Sequence, residues 1–251
     1  MAVIHKLAIT QFRNLNHQYI EPGNQLNLFI ASNAQGKTSL IEAIYYLGHN
    51  RSFKTKSLKE LIQLEQQKFQ LDAQVDKHRI KLEKSKQKTN ITIDQLRLKN
   101  SSELSKLLPI QIITPDKGFI VNGTPKNKRS YLDWGVFHVK PDFLSDFKKY
   151  HKALKSINVL LTQQKDQELD YWFLEIAQLS KNISQARKDY IDQLKKTNST
   201  ELMTDLSNLF ESIEFFDYQF KSGWPKEVDA FNVDSIYQYL LKSKSFMFKA
   251  K

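Results

Sequence analysis

At 251 residues, 40% of them hydrophobic and 12% aromatic, the chain is long enough to bury one large core or two modest ones, and disorder is not its default. It carries 38 Lys and Arg against 27 Asp and Glu, a net charge of +11, and no cysteine, which excludes a disulfide scaffold, thiolate metal sites and thiol catalysis. The basic excess suits a polyanionic partner through counterion release, and equally a lysine-rich surface that keeps the protein in solution. No run approaches the ~20 apolar residues of a membrane span, and no charged segment followed by an apolar run opens the chain. A cytoplasmic protein with no membrane partner is therefore expected.

Residues 3–9 form an apolar, β-rich run that continues through residues 10–15, and a second strand is predicted over residues 17–20. Glu21-Pro22-Gly23-Asn24 is a turn signal, after which residues 25–30 return as a predicted strand. That strand feeds Ala31, Ser32, Asn33, Ala34, Gln35, Gly36, Lys37, Thr38 and Ser39, and a helix begins at the lysine. Strand, small-residue loop ending Gly-Lys-Thr, and helix are the context of a phosphate-binding P-loop. Small residues let backbone N–H groups turn inward around an anion, and the helix presents its partial positive end. Lys37 would reach the β- and γ-phosphates of ATP as a point charge, and the Thr38 hydroxyl would ligate Mg²⁺. The usual first residue of such a loop is glycine; here it is Ala31, tolerable if its φ stays negative. A glycine-capped turn before an amphipathic helix would explain the short pattern, but not its flanks.

Leu40, Ile41, Ala43, Ile44, Tyr45 and Leu47 share one face of the helix, and Gly48 is predicted to end it. A short helix is expected over residues 58–64. Phe69, Leu71, Ala73 and Val75 then alternate, followed by Ile80 and Leu82 and by Ile91 and Ile93, which predicts an antiparallel layer beside the P-loop sheet. Lys81, Lys84, Lys86 and Lys88 form a basic turn that could touch DNA or, more simply, be a solvated hairpin tip. Residues 107–116 read as a short buried strand framed by prolines, and residues 123–129 as a basic loop before a helix starting at 130–134.

Beyond Pro141 the composition shifts: Phe143, Phe147, Tyr150, Leu154, Ile157 and Leu161 recur at helical spacing. Further helices are predicted near residues 171–194 and 202–210, giving a helical hairpin whose aromatic stripe is core rather than a base-stacking platform. Phe215, Tyr218 and Phe220 suggest a closing strand. The six histidines are scattered without metal-ligand spacing, and no Gly-x-Ser-x-Gly elbow occurs.

Phe12-Arg13-Asn14, the P-loop with Leu40-Ile41-Glu42-Ala43-Ile44-Tyr45, and Gly48-His49-Asn50-Arg51-Ser52-Phe53 follow one another as in the RecF family of bacterial DNA replication and repair proteins. So do Thr114-Pro115-Asp116, Asn122-Gly123-Thr124-Pro125-Lys126, Arg129-Ser130-Tyr131-Leu132-Asp133-Trp134 and Gly223-Trp224, so the chain resembles that family up to about residue 225. The resemblance implies an α/β fold: a P-loop ABC-type ATPase head, with a mixed sheet and an antiparallel layer around the P-loop helix, plus a helical subdomain. It implies an ATP-binding lobe over residues 1–125, a mainly helical lobe over 126–225 and a divergent tail over 226–251. By the same resemblance Arg13 lies beside the nucleotide phosphates, residues 31–39 form the cradle, and Gln111 is a weaker candidate for the magnesium-facing Q-loop residue. The implied partners are single-stranded and gapped double-stranded DNA, recombination mediator proteins and a second copy in an ATP-dependent homodimer. The implied role is recombinational repair, replication restart and the SOS response.

The sequence also lacks two elements that such a head needs. Between Gly135 and Gly223 there is no glycine, so Leu144-Ser145, Leu179-Ser180 and Leu206-Ser207 cannot begin a Leu-Ser-x-Gly signature. The apolar runs before Asp72, Asp94 and Asp116 are each interrupted by a polar residue or proline, so none is the carboxylate-ended strand that catalysis requires. The expectation is an N-terminal portion of a RecF-type head, with the C-terminal part of the nucleotide-binding sheet missing, that binds ATP without hydrolysing it. The alternative is a truncated, non-catalytic nucleotide- and DNA-binding fragment with no independent function. A GTPase or small-molecule kinase is disfavoured, because Asn127-Lys128-Arg129-Ser130 is not the guanine-reading Asn-Lys-x-Asp and no Asp-x-x-Gly occurs.

Overall fold

A computed structural model of the chain describes residues 2–98, 100–113, 124–197 and 219–250. The chain divides into two compact units, residues 1–117 and 118–251.

Period-two alternation builds the first unit. Strands β1 (Ile4–Phe12), β2 (Leu15–Ile20), β3 (Lys68–Val75), β4 (His78–Ser85), β5 (Thr89–Ile93) and β6 (Leu96–Arg97) form one antiparallel sheet, in the order β2-β1-β3-β4-β5-β6. Its register aligns one apolar row: Ile9 lies opposite Leu71, Leu71 opposite Leu82, and Leu82 opposite Ile91. Helix α1 (Lys37–His49) buries Ala43, Tyr46 and Leu47 in the same core. Phe12, Tyr46 and Phe69 meet edge to face, with ring centroids 5.0–6.1 Å apart. Each such side chain, buried almost completely, contributes about 1.5–3 kcal/mol by leaving water.

Several expectations are corrected. The layer read from residues 69–93 is not separate; it continues the sheet from β1. Residues 25–30 are not a strand: Leu26, Leu28 and Ile30 are exposed at 91%, 78% and 83%. A strand needs a partner, and none of the described strands pairs with these residues. Gly48 stands inside α1, where a Cβ would come within 2.7 Å of the Leu108 carbonyl oxygen; Asn50, at φ +50°, caps the helix instead. The turn at Leu58–Glu60 is a single 3-10 turn. Helix α2 (Ser102–Leu107) ends at the first residue of the strand predicted over 107–116, and 109–113 belong to no helix or strand; residues 114–116 lie outside the described ones. Lys84 is half-buried: its ammonium sits 5.6 Å over the Tyr46 ring and donates to Asn50 Oδ1 at 3.4 Å, and burial lowers its pKa.

In the second unit the basic segment predicted as a loop is the first turn of α3 (Pro125–Val139). Thr124 accepts from the Asn127 amide at 3.3 Å and Pro125 occupies the first turn, a local start signal stronger than the basic composition. Helices α4 (Phe143–Thr162), α5 (Leu169–Thr197) and α6 (Val233–Lys249) share a core built from Ala153, Ile157, Phe173, Ala177, Ile236 and Leu240. The segment read as a divergent tail thus contains α6, capped by Asn232 accepting from the Ser235 amide at 3.0 Å. The helix predicted over 202–210, and Phe215 and Tyr218, lie outside the described residues. Phe220 belongs to no strand.

Two side-chain pairs join α3 to α5. Arg187 donates to both Asp133 oxygens, at 2.7 and 2.9 Å, and Lys140 reaches Asp189. Gly135 allows the close approach, since a Cβ there would overlap the Tyr190 ring. Gly135→Ala should destabilise the helical unit by about 1–3 kcal/mol through overpacking, read by chemical denaturation. The hydrogen bond from Lys140, then that from Gln185, holds the Asp189 carboxyl below its ordinary 3.8. A depressed carboxyl pKa stabilises the fold above the unfolded value and stops doing so as pH falls through the folded one. The melting-temperature gap between the wild type and Lys140→Met should therefore be full at neutral pH and close as pH drops below 3.8.

Candidate phosphate-binding site

The loop before α1 has the backbone an anion cradle needs. Gly36 adopts φ +96°, and a Cβ there would come within 2.6 Å of Leu15 Cδ2, so glycine is required twice over. Ala34 also lies in the left-handed region, at φ +65°, whereas Ala31 is not among the positive-φ residues, as its tolerance at the first loop position demanded. No side chain caps α1 and its first turn holds no acidic residue, which leaves its N-terminal amides and partial positive charge facing the loop. Lys37 folds back so that Nζ donates to the carbonyls of Ala31 and, at 2.8 Å, Ser32.

Asn14 ties this loop to the sheet. Its Nδ2 donates to the Ala34 carbonyl at 3.0 Å, and its Oδ1 accepts from the Ser39 hydroxyl at 2.7 Å. Beneath it Arg13 forms a two-pronged ion pair with Glu42, Nη2 to Oε1 at 2.8 Å and Nε against Oε2; the Glu42 side chain is 0% exposed. Ser52 donates its hydroxyl to the same carboxylate and accepts the amides of Lys54 and Thr55 at 2.8 and 2.9 Å. The Arg13 amide donates to the Leu61 carbonyl at 2.8 Å and the Gln63 amide to the Gln11 carbonyl at 2.9 Å, which brings residues 61–63 alongside the end of β1.

These ties surround a cavity of about 830 Å³. Of the residues singled out in the sequence, Arg13, Asn33, Ala34, Gly36, Lys37, Thr38 and Ser39 line it; Ala31, Ser32 and Gln35 belong to the loop without lining it. Gln111 is not brought there: it is exposed, and its amide donates to the Ile112 carbonyl at 3.5 Å. Arg13 reaches the cavity wall, but its guanidinium is turned to Glu42 rather than left free for an anion. The cavity continues past Lys59 and Glu60 to Ile62, Gln63 and Leu64. Triphosphate and magnesium fit this donor set: open helix-start amides, an ammonium, and the exposed Thr38 hydroxyl. Asn14, Glu42 and Ser52 were missed as site residues, although all three stand inside motif blocks; their roles depend on partners 20, 29 and 10 positions away.

Gly36→Ala should cost about 1–2 kcal/mol in left-handed strain, before the overlap with Leu15 is counted, and weaken nucleotide binding. Asn14→Ala removes two hydrogen bonds that contribute about 0.5–1.5 kcal/mol each to the fold, so it should lower the urea midpoint and weaken nucleotide binding less than Gly36→Ala does. Titration calorimetry with ATP and urea melts of both variants check this order.

The matching family model is the RecF/RecN/SMC N-terminal domain, over residues 3–133, just over half of the chain. The DNA replication and repair protein RecF of Glaesserella parasuis is 34% identical over 232 residues, covering 90% of this chain and 63% of that protein. RecF of Psychromonas ingrahamii is 34% identical over 243 residues, covering 94% and 65%. The chain thus spans just under two thirds of the length of these curated relatives. A solved structure of the recombination mediator protein RecF with ATP superposes with a TM-score of 0.78 at 21% identity, covering 99% of this chain and 69% of that one. The fold is that of a RecF-type P-loop ATPase head, and the chain belongs to the RecF/RecN/SMC N-terminal domain family.

Proposed function

We propose that this chain is the nucleotide-binding part of a RecF-type DNA replication and repair protein, which holds ATP with Mg²⁺ at the P-loop and binds DNA through phosphate contacts. The observation that carries the reading is the backbone before α1: Gly36 left-handed, the helix start uncapped, and Lys37 folded over the loop. In this reading the amides at the loop and helix start bind the phosphates, and Lys37 exchanges its two carbonyl partners for β- and γ-oxygens. Thr38 ligates the magnesium. Asn14 and the Arg13–Glu42 pair act by positioning, and Ile62, Gln63 and Leu64 lie at the end of the cavity suited to the base. Bound Mg²⁺, held by Thr38, would neutralise phosphate charge.

Within these 251 residues we propose binding without turnover. Hydrolysis needs a positioned water and a donor to the γ-phosphate from a second head, and the sequence contains neither a Leu-Ser-x-Gly segment nor a carboxylate-ended apolar strand. Work in gap repair with recombination mediator proteins, in the cytoplasm, and ATP-dependent pairing of two heads extend the reading from RecF relatives. Among the described residues no helix is long and apolar enough to cross a membrane.

Titration calorimetry should show ATP binding that Lys37→Ala abolishes, and a steady-state assay should show no ATP hydrolysis that depends on Lys37. Nucleotide binding indifferent to Lys37 would overturn the site, whereas Lys37-dependent turnover would overturn only the claim of binding without hydrolysis. Binding to DNA should weaken steeply with salt, and a flat plot of log K against log salt would count against phosphate contacts.

A further inference from the structure

We propose that the furrow from the first turn of α3 along α4 is the track on which the phosphate backbone of DNA lies. This rests on the DNA-binding reading above and assigns it a place. Lys126 and Arg129 open a cavity of about 630 Å³ that reaches His151 and the buried Ser180. His151 and Leu154 also line a second cavity of about 580 Å³, which continues along α4 past Lys155 and Asn158 to Thr162. The two therefore adjoin as one furrow. From His151 to Thr162, at 1.5 Å per helical residue, it runs roughly 16 Å. Projected on a duplex axis, where one strand carries a phosphate about every 3.4 Å, that length spans about five phosphates.

The charge of the furrow is one-sided. Asp133 is the one carboxylate among the residues lining either cavity, and Arg187 neutralises it with two hydrogen bonds. Lys126, Arg129 and Lys155 are exposed, and none has a carboxylate partner among the described residues. Helix α4 adds exposed Lys148, Lys149 and Lys152 and has no acidic residue after Asp146.

A second observation points to a ligand rather than to solvated charge. Ser180 is 5% exposed and its hydroxyl, on the cavity wall, has no hydrogen-bond partner among the described residues. A buried donor of this kind calls for an acceptor arriving from the cavity, and a phosphate oxygen between Lys126 and Arg129 supplies one. Phe147, Tyr150 and Trp224 add aromatic surface to the wall. Backbone contact of this kind positions DNA without reading its sequence.

The test uses the full chain and a 30-base-pair duplex, with binding measured across a salt series. For Lys126→Ala/Arg129→Ala/Lys155→Ala the slope of log K against log salt should be shallower by about two to three, because each phosphate contact contributes about 0.9. Ser180→Ala should weaken binding at fixed salt with the slope unchanged. The hairpin control Lys86→Ala/Lys88→Ala should keep the wild-type slope, and all variants should keep wild-type ATP affinity and melting temperature. A wild-type slope in the triple variant, with DNA binding intact, overturns the furrow and leaves the DNA reading standing. An equal loss in the hairpin control also overturns it, since net charge rather than place would then govern binding. A wild-type chain that binds no duplex at any salt overturns both. Inorganic phosphate or poly-glutamate displacing duplex at equal charge concentration would reassign the furrow to a small anion or an acidic protein segment.

Discussion

Backbone amides can surround an anion only where the chain turns left-handed with no side chain in the way, and Gly36 is that point in this protein. Its φ of +96° and the Leu15 methyl 2.6 Å from where a Cβ would stand tie the loop to the β1–β2 turn. The start of α1 and the wall of the cavity follow from that seating. Asn14 fixes the loop from one side and Lys37 closes it from the other. The cost of the shape is visible in Ala34, a residue with a Cβ at φ +65°, where strain of about 1–2 kcal/mol is offset by the Asn14 hydrogen bond to its carbonyl.

Below the loop a buried charge does the holding. Glu42 is fully enclosed, and a carboxylate there is tolerable because the Arg13 guanidinium lies against both of its oxygens as an ion pair, while Arg13 and Ser52 each donate a hydrogen bond to Oε1. Removing one member of such a pair typically costs about 3–5 kcal/mol, more than either Asn14 bond, so the pair sets the position of α1 and Asn14 adjusts the loop. In the proposed reading Arg13, which also lines the cavity, serves the phosphate site by positioning. Its residue type suits direct phosphate contact equally well, which is why resemblance alone placed it beside the nucleotide.

What could be read in advance depended on how local the determining forces are. The strands of the antiparallel sheet were legible because alternation at Phe69, Leu71, Ala73 and Val75 states which face is buried, and the long helices because Phe143, Phe147, Tyr150 and Leu154 repeat at 3.6 residues. The loop was legible because its chemistry is compressed into nine residues. Residues 25–30 misled for the opposite reason: an apolar alternation states which face is buried but not which neighbour pairs, and none of the described strands pairs with these residues. The helix start at Pro125 was overlooked because its basic run reads as a solvated loop, although Lys and Arg are good helix formers; the deciding signal was the Thr124 cap. Asn14, Glu42 and Ser52 act through partners distant in sequence, so no window of local pattern could assign them.

The most direct measurement of the cradle is the backbone amide NMR spectrum of the chain titrated with ATP and magnesium. Saturable shifts concentrated at Gly36, Lys37, Thr38 and Ser39, with the His78–Ser85 strand silent, are the result expected if those amides enclose the phosphates. Saturating nucleotide that leaves these four amides unmoved while others shift would contradict a phosphate site at the start of α1.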